Sequence, residues 1–423
     1  MRRCRLPWLV LCAALLAGGS AEAVFAEPAA AGSWLGSWAS SQQIPEPANA
    51  LPQEALRDAT LRQIVHLTVG GKALRVRLSN AFGTAPLTIL AVHIARPVSK
   101  ETGSIDAASD KALTFAGSPS VTIPAGADSY SDPIAFDAPA LSDLAITLYL
   151  AVPPLRQTSH PGSRETSFLV HGDHVADATL SGATTFAHWY FISGLEVKTS
   201  AAGAAIVVLG DSLTDGHGTA DNSDTRWPDD LARRLESSAA TRDLSVLNAG
   251  IGGNRLLLDG SGANALARFD RDVLAQTGVR YLILLEGIND LDTATRLAPI
   301  SAAQHAVLVH KIIAADQQII LRAHAHGIAV IGGTITPDGG SDYYHPSAAN
   351  DADRQAVNAW IRQPGHFDAV LDFDRVVRDP KHPDRLLPAY DCGDHLHPSP
   401  AGYRAMVAII PLQLFTDRMR GRR

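Results

Sequence analysis

The chain has 423 residues, of which 46% are hydrophobic, with a formal net charge of −7 and three cysteines. An acidic balance without basic clusters argues against a nucleic-acid or anionic-membrane partner. So few cysteines exclude a disulfide-stapled scaffold, whereas the length is sufficient for two domains with large apolar cores.

A basic and then apolar stretch stands at the N-terminus. Three arginines among the first five residues precede the apolar run "LPWLVLCAALLAGG", and two small-residue cleavage patterns follow it, Ala21-Glu22-Ala23 and Val24-Phe25-Ala26. This order is typical of a cleaved secretory signal peptide. We therefore expect residues 1–26 to be a signal peptide and the mature protein to be secreted or periplasmic. No later stretch reaches the roughly 18 uninterrupted apolar residues of a membrane span, so none is predicted.

Residues 33–197 have the rhythm of β-structure. The stretch "TLRQIVHLTVGGKALRVRLSN" places two β-rich runs on either side of Gly70-Gly71, which predicts a hairpin. Further short runs follow, separated by Pro, Gly, Ser and Asp, and no fixed repeat or long helical period is present. The pattern predicts an accessory β-sandwich domain of jelly-roll type.

The rhythm changes after a short segment, 198–205, that we interpret as a linker. From 206 to 423, near-continuous apolar runs such as "AIVVLG" and "VRYLILLEG" alternate with helical segments such as "WPDDLARRLESS". Apolar strands alternating with helices predict a parallel sheet covered on both faces. In such sheets the ligand crevice lies at the carboxyl ends of the strands.

Four polar motifs occur where that crevice is expected. Three follow predicted strands and the last precedes the final helix: Gly210-Asp211-Ser212-Leu213, the segment 248–254 ("NAGIGGN"), Gly287-Ile288-Asn289-Asp290, and Asp394-His395-Leu396-His397. Each alone is compatible with an ordinary turn. Together they supply a serine, a glycine N–H, an asparagine amide and an Asp–His pair. These are the components of nucleophilic acyl transfer, because serine needs an adjacent base and the oxyanion needs hydrogen-bond donors.

The four motifs resemble the signature of the SGNH (GDSL) hydrolase superfamily, and "GDSLTDGHGT" and "GIGGNR" resemble a subgroup of secreted acylhydrolases or arylesterases with an N-terminal β-domain. The resemblance implies a flavodoxin-like three-layer α/β/α fold with about five parallel strands. It also implies that Ser212 is the nucleophile, His397 the base and Asp394 the residue that orients it. The oxyanion hole would be the N–H of Ser212, the N–H of Gly253 and the Asn289 amide. Gly252 remains an alternative to Gly253.

The leading hypothesis is a secreted serine esterase that acts on a small-molecule or glycan ester and needs no cofactor or metal. A cluster of Asp391, Asp394, His395 and His397 has the residue types of a metal site, but we do not favour it. The loop "TPDGGSDYYHPSAANDADRQ" is expected to overhang the crevice and influence specificity.

Two other functions use the same residues differently. An O-acyltransferase would pass the acyl group from the same triad to a sugar hydroxyl. A carbohydrate-binding protein would carry an inert second domain and grip sugars with aromatic side chains of the β-domain, for which the candidates are Trp34, Trp38, Trp189 and Tyr190.

Overall fold

The computed structural model describes residues 32–199 and 203–416. The predicted signal peptide at 1–26 and part of the predicted linker lie outside these residues. None of the described helices combines the length and the apolar character that crossing a membrane requires. The described residues from Gly32 onward form one compact unit.

The N-terminal half of the described chain is built from short strands. In chain order they are β1 (Trp34–Ala39), β2 (Ala59–His66), β3 (Gly71–Ser79), β4 (Leu87–Ile89), β5 (Ala91–Ala95), β6 (Lys111–Ala112), β7 (Val121–Ile123), β8 (Asp128–Tyr130), β9 (Ile134–Ala138), β10 (Asp143–Leu150), β11 (Ser159–His160), β12 (Ser167–His171), β13 (Thr184–Phe186), β14 (Trp189–Tyr190) and β15 (Ile192–Lys198). One antiparallel sheet has the order β1-β15-β3-β8, with β9 also paired to β3, and a second has the order β13-β12-β2-β10-β5-β6. Apolar side chains of both sheets belong to one buried cluster. The prediction of an antiparallel β-rich domain is confirmed.

The predicted hairpin around Gly70-Gly71 is wrong. Strand β2 pairs with β10 and β12, whereas β3 pairs with β15, β8 and β9. The connection between β2 and β3 crosses from one sheet to the other. It is hydrogen-bonded to β1, because Thr68 donates its backbone N–H to Ser37 O at 3.1 Å. Alternating side chains show which positions are half-buried, but they do not identify the partner strand.

The C-terminal half alternates strands and helices. Its strands are β16 (Ala204–Gly210), β17 (Leu244–Gly250), β18 (Val279–Leu285), β19 (Ala329–Gly333) and β20 (Ala369–Leu371). Its helices are α1 (Ser212–Asp215), α2 (Trp227–Glu236), α3 (Ala265–Phe269), α4 (Ile288–Thr295), α5 (Ala302–Ala325), α6 (Ala348–Ile361), α7 (Phe373–Val377) and α8 (Pro400–Ala408). The strands are parallel in the order β17-β16-β18-β19-β20. This is the flavodoxin-like order, in which the first two strands along the chain exchange places. The predicted fold of this half is confirmed.

The β-rich half packs against β17, which is an edge strand of the parallel sheet. Val246 of β17 donates its N–H to Thr68 Oγ1 at 3.2 Å, and Gly36 of β1 donates to Thr277 O at 3.1 Å. A side chain at Gly36 would collide with Leu247, whose Cδ1 lies 2.9 Å from the position of an added Cβ. The domain limits at 197 and 206 remain a prediction.

Candidate active site

Ser212 stands where the buried strand β16 meets the short helix α1. The carboxylate of Asp211 caps this helix by accepting the N–H of Leu213 at 2.9 Å. Gly210 permits the sharp turn, since an added Cβ would lie 2.1 Å from Thr214 Oγ1. The sequence therefore presents Ser212 at the carboxyl end of the strand, with 9% of its surface exposed.

The serine hydroxyl, an imidazole and a carboxylate form one hydrogen-bonded chain. Ser212 Oγ lies 2.7 Å from His397 Nε2, and His397 Nδ1 lies 2.6 Å from Asp394 Oδ2. The other oxygen of Asp394 accepts the backbone N–H groups of Leu396 and His397 at 3.0 and 2.8 Å. The turn before α8 therefore holds the Asp–His pair in register, and a hydroxyl so placed can pass its proton to the ring.

Electrostatics favour a neutral His397 beside an ionised Asp394. Burial lowers the pKa of His397, and the hydrogen bond to Asp394 offsets only part of that effect. Burial by itself would raise the pKa of Asp394. The hydrogen bonds from His217 and His397 together outweigh burial, and the pKa of Asp394 lies well below its usual range. A neutral imidazole next to a carboxylate is the state that can accept a proton from serine.

His217 is a second imidazole in the same place, which the sequence analysis missed. Its ring centroid lies 4.0 Å from that of His397 at an interplanar angle of 36°, and its Nε2 lies 3.4 Å from Asp394 Oδ2. The motif "GDSLTDGHGT" contains the information that could have predicted this position. Helix α1 ends at Gly216, whose φ is 93°, and the chain turns back there so that His217 lies beside Ser212. Asp394 is thus shared by two histidines.

Ser212, Gly252 and Gly253 all line the crevice. The N–H groups of Ser212, Gly252 and Gly253 make no hydrogen bond to any residue that the structure describes. Gly253 has a φ of 73°, the left-handed region that favours glycine, and the turn it forms with Gly252 can present N–H groups to an anion. The contacts do not choose between Gly252 and Gly253 as the donor.

The side chain of Asn289 lines the same crevice. The side chain lies in the first turn of α4, after Gly287 with a φ of 115°. Its Nδ2 donates to Asn254 O at 2.9 Å and to Asp211 Oδ2 at 3.2 Å, while its Oδ1 accepts the hydroxyl of Tyr344 at 2.6 Å.

All the residues predicted for the site line one crevice. Its volume is 680 Å³, and it is lined by Ser212, His217, Gly252, Gly253, Ser261, Asn289, Ser341, Asp342, Tyr343, Tyr344, Gly393, Asp394, Leu396 and His397. The predicted overhanging loop does contribute to the wall, through residues 341–344. The carboxyl ends of three parallel strands and the turn before α8 therefore bring together four motifs that are distant in sequence.

Two buried carboxyl groups, those of Asp290 and Asp211, bond to the loops around the serine. Asp290 accepts the backbone N–H groups of Leu256 and Leu257 at 2.7 and 3.0 Å, and burial raises its pKa to about 6. Burial likewise raises the pKa of Asp211 to about 7. Their hydrogen bonds indicate a structural role for both.

Arg268 connects these loops on their buried side, although no motif in the sequence marks this position. Its side chain is fully buried. It donates to Gly210 O at 2.9 Å, Ala249 O at 2.6 Å, Asn254 Oδ1 at 2.9 Å, Ser41 Oγ at 3.1 Å and Asp272 Oδ2 at 3.0 Å. One guanidinium thus joins the ends of β16 and β17, the Asn254 loop and the β-rich half.

The β-rich half also reaches α1. His160 of β11 places Nε2 at 2.9 Å from Asp215 Oδ1, and its Nδ1 lies 2.8 Å from Ser41 O. Gly162 leaves room for this carboxylate, since an added Cβ would lie 1.8 Å from Asp215 Oδ2. Nothing local in the sequence predicts this contact.

The histidines and carboxylates with the residue types of a metal site bond to one another and to Ser212. Both nitrogens of His397 face hydrogen-bond partners, and His395 Nδ1 pairs with Asp391 Oδ2 at 2.6 Å. His217, Asp394 and His397 are close enough to share an ion, but using His397 as a ligand would break its contact with Ser212 or with Asp394.

The aromatic residues considered as sugar platforms are mostly core residues. Trp38, Trp189 and Tyr190 are buried, and Trp38 packs edge-on against Trp189 with ring centroids 4.9 Å apart. Buried rings cannot stack on a glycan, so the carbohydrate-binding hypothesis loses its main support.

Residues 208–405 match the GDSL-like Lipase/Acylhydrolase family. This segment is a GDSL-like acylhydrolase domain. Lipases and acylhydrolases cleave carboxylic esters, and the protein is accordingly a carboxylic ester hydrolase. No curated protein sequence matches the chain.

Solved structures similar to the chain align with about half of it, the length of the acylhydrolase domain. A GDSL-like lipase of Bacteroides thetaiotaomicron is 17% identical over 51% of this chain and 88% of its own, with a TM-score of 0.37. An acetylxylan esterase of Geobacillus stearothermophilus, in a catalytic mutant form, is 20% identical over 49% and 92%, with a TM-score of 0.37. The aryl esterase of M. smegmatis is 14% identical over 52% and 99%, with a TM-score of 0.37. Likeness at this level adds nothing about the substrate.

Proposed function

We propose that this protein is an exported serine esterase that forms an acyl-enzyme on Ser212 and removes short acyl groups from hydroxyl-rich alcohols such as sugars. The observation that carries the proposal is the hydrogen-bonded chain from Ser212 through His397 to Asp394, beside backbone N–H groups that lack partners among the described residues.

The reaction proceeds in two halves. Ser212 Oγ attacks the ester carbonyl carbon while His397 Nε2 takes its proton, and the carbonyl oxygen becomes negatively charged. The N–H groups of Ser212 and Gly253 and the Asn289 amide stabilise that charge. The tetrahedral species collapses as His397 returns the proton to the departing alcohol, which leaves the acyl group on Ser212. Water then repeats these steps to release the acid.

The crevice wall supports a short acyl group and a polar alcohol. Among the side chains that line it, Leu396 is the single aliphatic one, whereas hydroxyls from Ser261, Ser341 and Tyr343 are present. A long acyl chain gains about 0.8 kcal/mol for each methylene that is buried on apolar surface. Apart from Leu396, the carbon surface of this wall belongs to tyrosine and histidine rings and to backbone, so no aliphatic groove follows the length of such a chain. The carboxylates of Asp342 and Asp394 also disfavour an anionic substrate.

The first experiment tests the nucleophile with p-nitrophenyl acetate. Ser212→Ala should lower kcat on the order of 10⁶-fold, the loss typical of a serine nucleophile. Ser237→Ala is the control, because that hydroxyl only bonds Arg234 O at 2.7 Å on the exposed end of α2. If Ser212→Ala retains turnover, Ser212 is not the nucleophile and the proposal is refuted.

The second experiment tests the substrate class. The ratio kcat/KM should fall from p-nitrophenyl acetate through butyrate to octanoate, and an acetylated oligosaccharide should release free acetate. A rise with acyl length would indicate a lipase-type substrate instead. Acetyl transfer to an added sugar acceptor in place of hydrolysis would favour the acyltransferase.

Export rests on the basic and apolar N-terminal sequence. When the full chain is expressed in a bacterial host, N-terminal sequencing of the accumulated protein should find residues 1–26 removed. Accumulation of the chain with Met1 or Arg2 at its N-terminus in the cytoplasm would contradict export.

A further inference from the structure

The orientation of the Asn289 amide depends on three partners, of which Tyr344 is the only one on the crevice wall. Nδ2 faces two oxygen atoms, Asn254 O at 2.9 Å and Asp211 Oδ2 at 3.2 Å, and Oδ1 faces the Tyr344 hydroxyl at 2.6 Å. An amide rotated by half a turn would point its oxygen at the other two oxygens. The contacts therefore fix Nδ2 on the side of Asp211, the chain neighbour of Ser212, and Oδ1 on the side of Tyr344.

This orientation matters because the two ends of the amide have opposite effects on an oxyanion. Nδ2–H donates to the developing negative charge, whereas Oδ1 in the same place would repel it. Of the two bonds that Nδ2 makes, the one to Asp211 is the longer. An oxyanion can therefore take the place of Asp211 as the acceptor of this N–H, while the hydrogen bond from Nδ2 to Asn254 O is kept.

We propose that Tyr344 is a positioning residue for ester hydrolysis, whose hydroxyl holds the Asn289 amide with Nδ2 toward the oxyanion. The inference rests on the proposed function. The hydroxyl has a second effect in the same direction, since donation to Oδ1 polarises the amide and makes Nδ2–H a better donor.

Tyr344 is itself held firmly. Only 6% of its surface is exposed. Its ring packs edge-on against Tyr343 at 4.7 Å, and the Tyr343 hydroxyl accepts from Arg296 at 3.0 Å. Both tyrosines belong to the loop between β19 and α6, so the same loop forms the substrate wall and supports the oxyanion donor.

The test is a double-mutant cycle with an aryl acetate as substrate. Tyr344→Phe should lower kcat about 10-fold and leave KM unchanged, a smaller loss than the 10²–10³-fold expected for removing an oxyanion donor outright. Tyr344→Phe introduced into Asn289→Ala should have no further effect, because the amide that it orients is gone. A merely structural role would predict losses that add.

The matched control is Tyr281→Phe. That tyrosine is also buried and donates its hydroxyl to Phe415 O at 2.7 Å, but it lies at the opposite end of its strand from the crevice. The substitution Tyr281→Phe should reduce thermal stability without changing kcat. If Tyr344→Phe does not fold, Tyr344→Met provides a second buried side chain without a hydroxyl, and the same cycle applies.

The outcomes separate this inference from the proposed function. Full kcat in Tyr344→Phe, or an equal loss with and without Asn289, overturns the role of Tyr344 while Ser212→Ala remains inactive. Turnover in Ser212→Ala overturns the esterase mechanism whatever Tyr344 does. A change confined to KM would make Tyr344 a substrate contact and would also overturn the positioning role.

Discussion

Replacing Arg268 by methionine should both destabilise the protein and impair catalysis. Methionine preserves much of the apolar length of the side chain but removes every donor. Gly210 O, Ala249 O and Asn254 Oδ1 then lose the hydrogen bonds that they receive at 2.9, 2.6 and 2.9 Å. Asp272 loses its buried partner at 3.0 Å and keeps Arg271.

The size of the effect follows from this burial. Removing one partner of a buried ion pair typically costs about 3–5 kcal/mol. The buried oxygens of Gly210, Ala249 and Asn254 also lose the donor that Arg268 gives them, which adds to the loss. A typical domain is stable by about 5–15 kcal/mol, so the loss is a large part of the total. The loops that carry Ser212 and Gly253 should also shift, and a displacement of about 1 Å at a reacting centre costs about 10²-fold in rate.

The assay combines urea denaturation, followed by tryptophan fluorescence, with initial rates on p-nitrophenyl acetate. Arg57→Met is the control, since its ion pair with Glu54 at 3.0 Å is exposed, and its stability and rate should equal those of the wild type. An Arg268→Met variant as stable and as active as Arg57→Met would refute the reasoning that Arg268 holds the loops together.

Three further predictions concern the site and its wall. Asp394→Asn should lower kcat about 10⁴-fold with little change in KM, because His397 loses the acceptor that fixes its tautomer. Steady-state kinetics measures both constants, and an unchanged kcat would contradict this role of Asp394. Gly253→Ala should lower the melting temperature, since it forces a left-handed φ of 73° on alanine, whereas Gly252→Ala, whose nearest neighbour would lie 3.6 Å away, should not. Burial, followed by the neighbouring Asp338, raises the pKa of Asp292 well above its ordinary value of 3.8, so the folded protein keeps a proton that the unfolded chain releases and loses stability as the pH rises above that value. The melting temperature of Asp292→Asn should therefore rise relative to that of the wild type as the pH is increased from 5 to 9. If the difference between the two melting temperatures does not change with pH, the raised pKa of Asp292 beside Asp338 is contradicted.

The location of the site could be predicted from sequence because of one geometric rule. Carboxyl ends of parallel strands meet at one edge of a sheet, so polar motifs that follow such strands converge. Ser212 and Asn289 lie on such strand ends, and His397 precedes the last helix. The Asp394–His397 contact was also local, three residues apart on a turn.

The supporting contacts could not be predicted in this way. Arg268 donates hydrogen bonds to backbone carbonyls and side chains of several loops that are distant from it in sequence. The residues next to position 268 therefore contain no pattern that predicts these contacts. His160 and Tyr344 meet their partners only after two distant segments have packed. The failed hairpin at Gly70-Gly71 has the same cause, since strand periodicity records burial and not pairing.

The most direct measurement is covalent labelling of the nucleophile. A fluorophosphonate probe forms a stable adduct with a serine that an adjacent base activates. Mass spectrometry should find one probe per protein, on the peptide that contains Ser212, and no labelling in His397→Ala. An unlabelled wild type, or a probe on Ser261 or Ser341 in the same crevice, would contradict the assignment of Ser212.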